Sequence, residues 1–124
     1  MTDVDFLNNA VNKYGHRVFN KHTRLPDVND VYIGRPSNLG NPYMTNNSKT
    51  IEDRISNCIK FRNNLFQIIL GGLNPALVEE VKNLDGKNVV CWCSNGTDNV
   101  KHGARYCHGH VLLYACDYLN GEIV

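Results

Sequence analysis

Two short apolar runs, Val31-Tyr32-Ile33 and Val89-Val90, bracket residues 34–88, an interval that holds one loop rich in glycine and proline and then two stretches of helical periodicity. The order strand, loop, helix, helix, strand is a crossover, which almost always makes its two strands parallel and right-handed. This interval commits the chain to an α/β class. The expected architecture is a single domain over 1–124, a small and mostly parallel sheet flanked by helices, resembling a reduced Rossmann-like layer.

Each helix announces its ends. Thr50 can cap a helix from Ile51 to Leu70, where Ile51, Ile55, Cys58, Ile59, Leu65, Phe66 and Ile69 recur at offsets of three and four. Gly71-Gly72 stops it, and Asn74-Pro75 opens a shorter helix running through Leu77, Val78 and Val81 to Leu84. Upstream, Leu7, Ala10, Val11 and Tyr14 mark a helix over Val4–Tyr14, with Thr2 or Asp3 as cap and Gly15 as stop. Arg17–Asn20 reads as a short strand and Lys21–Asp30 as a loop, with His16 and His22 as exposed or edge histidines. Downstream, Leu112, Ala115, Cys116 and Leu119 define a last helix that Asn120-Gly121 ends. Cys58 and Cys116 lie on apolar stripes and read as packing.

A chain of 124 residues suffices for an ordinary core without metal or disulfides. Its net charge of +1 requires no polyanionic partner, which leaves nucleic acid open. No window approaches a membrane span of roughly 20 apolar residues, so no membrane partner is expected. The acidic start at Asp3 and Asp5 lacks the basic-then-apolar order of a signal peptide, so the expected location is the cytoplasm. Five cysteines, an odd number, then read as free thiols kept for packing, metal or catalysis. The oligomeric state is not encoded in any pattern here.

Two segments carry chemistry. Gly34 to Tyr43 contains two glycines, two prolines, a serine and two asparagines, a rigid loop whose amides can turn toward a ligand. Within it Arg35 offers a planar cationic fork for phosphate, the backbone at Gly34 and Gly40 offers amides, and Ser37 and Asn41 offer hydrogen bonds to a sugar or base. The second segment is Asn88 to Cys93 completed by Cys107-His108. If the strand continues through Cys93, Cys91 and Cys93 share one face at its carboxyl end, where open α/β sheets gather ligands. Cys107 and His108 fall at, or just before, a helix N-terminus, where amides and the dipole favour a thiolate or an anion.

Three readings of this cluster remain open. Cys91, Cys93, Cys107 and His108 match a tetrahedral zinc set, with His110 or His102 able to replace His108. Alternatively Cys107 or Cys93 is a nucleophile with a histidine as base, catalytic candidates being Cys107, His108 and Cys93. In the third reading the cysteines and histidine pack around a nucleotide-like ligand.

In order, Val31-Tyr32-Ile33-Gly34-Arg35-Pro36-Ser37, Gly40-Asn41-Pro42-Tyr43, Gly86-Lys87, Cys91-Trp92-Cys93 and Cys107-His108-Gly109 before Val111-Leu112-Leu113 resemble one family signature. It is that of the bacterial and bacteriophage family catalogued as domain of unknown function (DUF) 4326, and the resemblance spans roughly residues 17 to 119. It implies that the Gly34 to Tyr43 loop and the cysteine cluster form one site, in a bacterial or phage-infected host cytoplasm. The segment from Ser94 to Tyr106 is longer than the short proline-containing link associated with the family. The expected function is binding or processing of a small phosphorylated ligand, a nucleotide or nucleotide-sugar, in a cleft between loop and cluster. The rival is a zinc-stabilised module that binds protein or nucleic acid without catalysis.

Overall fold

A computed structural model describes residues 2–20, 25, 27–34, 37–42, 51–91 and 106–121. Helix α1 (Asp3–Tyr14) passes through a 3-10 turn (Gly15–Arg17) into β1 (Val18–Asn20). Then come β2 (Asp30–Tyr32), α2 (Ile51–Gly71), α3 (Pro75–Lys82), β3 (Asn88–Cys91) and α4 (His108–Leu119).

Local chemistry sets the boundaries. The Thr2 hydroxyl accepts from the Asp5 amide at 3.1 Å while the Asp5 carboxylate accepts from the Thr2 amide at 3.2 Å, a reciprocal cap on α1. Gly72, at φ +63°, takes the left-handed turn after α2, which lets the Leu73 amide reach back to the Ile68 carbonyl at 3.1 Å. Two residues on, the Asn74 side chain accepts from the Leu77 amide and starts α3. Gly86, also left-handed at φ +72°, turns the chain into β3.

The sheet has the order β1-β3-β2, and both pairings are parallel. The last strand in sequence is thus the central one. Val89 pairs in register with Val18 on one side and Val31 on the other, so these three side chains share a face, which Cys91 joins two residues along. Arg17 ties the turn before β3 to the start of β1, donating to the carbonyls of Lys87 and Leu84.

Helix α4 organises the packing. From His108 to Asp117 every residue is buried except the half-buried Tyr114, and α4 contacts α1, α2, α3 and β3. A helix apolar around most of its circumference belongs at the centre of a fold. Its first turn rests directly on the sheet because position 109 is glycine. A Cβ there would lie 2.9 Å from Val89 Cγ2 and 3.0 Å from Ile33 Cδ1. At the other end the Tyr14 hydroxyl donates to the buried Asp117 carboxylate at 2.5 Å, with Lys13 at 3.7 Å, and this joins α1 to α4.

The most deeply buried line of α2 is Arg54, Cys58, Phe61 and Leu65, while Ile55, Ile59, Phe66 and Ile69 flank it half-buried. The helix is therefore rotated slightly from the face its aliphatic residues alone suggest. Among the described residues no helix is long and apolar enough to cross a membrane.

Candidate functional site

Parallel strands end on a common edge, and at this edge β3 delivers Cys91, β2 delivers Ile33 and Gly34, and α4 begins. The Ile33 amide still donates to the Val90 carbonyl at 2.9 Å, which keeps the β2 exit alongside β3 to its end. Cys107 is the N-cap of α4: its backbone is extended, and its sulfur accepts from the Gly109 amide at 3.2 Å. The sulfur thus receives an amide at the positive end of the helix.

The sulfurs of Cys91 and Cys107 stand 2.8 Å apart, closer than thiols ordinarily pack and well beyond a covalent S–S length of about 2.05 Å. His108 places Nδ1 3.9 Å from the Cys107 sulfur and Nε2 2.8 Å from the Ile33 carbonyl. One donor atom from each of Cys91, Cys107 and His108 lies within 4.8 Å of the others, and all three residues are buried.

Burial governs the electrostatics. It lowers the His108 pKa despite the opposing pull of Cys91 and of the Ile33 and Leu39 backbone, which favours the neutral ring. A neutral ring protonated on Nε2 donates to Ile33 and presents the Nδ1 lone pair toward Cys107. Burial likewise pushes His110 down to about 4, opposed first by its bond with the Cys107 backbone. The Cys58 thiol is pushed up to about 12 by burial, with the nearby Arg54 charge opposing and Cys91 adding. Cys58 and Arg54 of α2 therefore belong to the surroundings of Cys91.

The loop after β2 is internally bonded. The Ser37 amide donates to the Gly34 carbonyl and the Gly40 amide to the Ser37 carbonyl, both at 2.9 Å, while the Leu39 amide donates to the Ser37 hydroxyl at 3.1 Å. These groups shape the loop, and the expected offer of the Gly40 amide to a phosphate is taken up by Ser37. Gly34 has its own steric reason, since a Cβ there would run into the Tyr32 phenol ring. Beside the loop lies a cavity of about 160 Å³ between Asn38, Leu39, Gly40 and Pro42 and the α2 residues Phe61 and Asn64. Phe61 lines that cavity and also packs edge-to-face with His108, ring centroids 5.1 Å apart.

Cys91, Cys107 and His108 thus come together, and His108 joins them to the root of the loop containing Gly34, Ser37, Gly40 and Asn41. Arg35 and Cys93 lie outside the described residues. Asn41 is buried at 2 % exposure, so it serves the inner side of the loop. The first-turn amides of α4, expected to be open to an anion, are taken by Cys107: Gly109 bonds its sulfur and His110 its carbonyl. Phe61 and Arg54 were not anticipated. The spacing of 54, 58, 61 and 65 carries the signal, a heptad-like line in which an arginine stands where an apolar residue is expected.

A family model described as a domain of unknown function, DUF4326, matches residues 16–118. No curated protein and no solved structure matches the chain.

Proposed function

The chain belongs to the DUF4326 family, and from the geometry of its site we propose that it binds a small phosphorylated ligand of nucleotide or nucleotide-sugar type at the carboxyl edge of the sheet. The observation that carries this reading is the loop-walled cavity of about 160 Å³ beside Phe61. Part of its wall is Asn38, Leu39, Gly40 and Pro42, from the loop that leaves the carboxyl end of β2, and parallel α/β sheets gather ligands beyond the carboxyl ends of their strands. Its mixture of apolar wall and the amide side chains of Asn38 and Asn64 suits a base or sugar, few polar groups fixing orientation over an apolar surface. Arg35, two residues before Ser37, supplies the cation for phosphate.

Binding is better supported than processing. Cys107 and His108 are buried at 1 % and 3 % exposure and neither lines the cavity, so their chemistry is set back from a ligand bound there. The test is an amide-resolved titration of the full chain with a nucleoside monophosphate, a nucleoside diphosphate and a nucleotide-sugar. Shifts should group at Asn38–Asn41 and around Phe61 and Asn64, and the exposed substitution Asn64→Trp should abolish them by filling the cavity mouth. Millimolar ligand that leaves those amides unmoved sinks the reading.

A further inference from the structure

We propose that Cys91, Cys107 and His108 form a zinc centre in which His108 coordinates through Nδ1. Three donors of the right kind are already gathered within 4.8 Å of one another. Thiolate sulfur with imidazole nitrogen is a set that selects zinc over the hard, oxygen-seeking cations.

Two features separate a metal centre from a pair of cysteines that happen to meet. The first is the orientation of the imidazole. A metal-bound histidine almost always gives its second N–H to a carbonyl or carboxylate, which fixes the tautomer and turns the other nitrogen to the ion. His108 shows that arrangement, with Nε2 2.8 Å from the Ile33 carbonyl and Nδ1 on the side of the Cys107 sulfur. The second is the support of Cys107, whose sulfur receives the Gly109 amide at a helix start, a second contact suited to a coordinating thiolate. A disulfide would use neither.

Tetrahedral zinc with bonds of about 2.3 Å holds two thiolates roughly 3.8 Å apart, so the ion parts the 2.8 Å pair and removes the close approach. Among the described residues the group stops at three donors. That number leaves one corner for water or for a further side chain. The centre stands apart from the ligand reading: nucleotide binding can fail in a zinc-loaded protein, and zinc can be absent from one that binds nucleotide.

The test uses the full chain purified under reducing conditions. Elemental analysis should give about one zinc per chain. Exchange into Co²⁺ should produce thiolate-to-cobalt charge-transfer absorption with the d–d bands of a tetrahedral site. Cys91→Ser and Cys107→Ser should each remove part of the charge-transfer intensity, while Cys116→Ala keeps all of it. His108→Gln places an amide where Nε2 donates to Ile33 but removes the Nδ1 donor, so it should keep the fold and weaken Co²⁺ binding roughly tenfold or more. The proposal is overturned if the wild-type protein is metal-free and gives no cobalt spectrum. It is equally overturned if mass analysis finds Cys91 and Cys107 joined as a disulfide in the folded protein.

Discussion

At Gly109 a single added methyl meets packed core side chains. Alanine there brings its Cβ to 2.9 Å from Val89 of the central strand and 3.0 Å from Ile33 at the exit of β2, both fully buried. Its better helix propensity, about 1 kcal/mol over glycine, is outweighed by overpacking. Gly109→Ala should lower stability to denaturant, overpacking itself costing about 1–3 kcal/mol, and an unchanged urea midpoint would show that α4 can lift off the strands. Tyr14 tests a polar contact. Tyr14→Phe leaves the buried Asp117 carboxylate without its hydroxyl donor and should cost about 1–3 kcal/mol. The same tyrosine predicts an alkaline dependence. Burial, with the Asp117 bond adding, raises the Tyr14 pKa, and burial raises that of Cys58. In both cases the unfolded chain releases its proton before the folded one does. Their contribution is therefore whole below the ordinary values and declines as pH climbs past about 9 to 10. Urea midpoints measured through that range should fall, and fall less steeply in Tyr14→Phe; a flat profile would contradict the burial of both groups.

Helix ends and strand identities were legible because each rests on chemistry within a few residues. Thr2 and Asn74 cap, Gly72 and Gly86 turn left-handed, and the β-branched runs at residues 31 and 89 pair in parallel as the crossover order demands. Asn74→Ala should cost about 1 kcal/mol, measured by thermal unfolding, and a loss under about 0.5 kcal/mol would mean that Pro75 alone starts α3. The site was legible in its residues but only partly in its arrangement. Cys91, Cys107 and His108 could be grouped from the expected strand end and helix start. The contacts of Phe61 with both cavity and imidazole and the burial of Arg54 depend on how α2 rotates against α4. That rotation is a contact between elements far apart in sequence, and the aliphatic residues of α2 point to a slightly different face than the one it buries.

In the whole molecule α4 is the element touched by all three other helices and by the central strand. Its amides should exchange with solvent only through complete unfolding, giving the highest protection in native-state hydrogen exchange. Protection higher in α2 than in α4 would move the centre of stability elsewhere. The strand order β1-β3-β2 has a consequence for synthesis. Its first two strands have no contact along the sheet until residues 88–91 arrive to lie between them, and α4, which packs on β3, follows only at 108–119. A nascent chain emerging from the ribosome thus has helices α1 to α3 to form but no sheet to close until β3 is out. Its long-range pairings come late and demand closure of large loops. Closure of the sheet is in effect withheld until β3 has been made, and a chain stopped before α4 leaves its strand edges and helix faces open to other molecules.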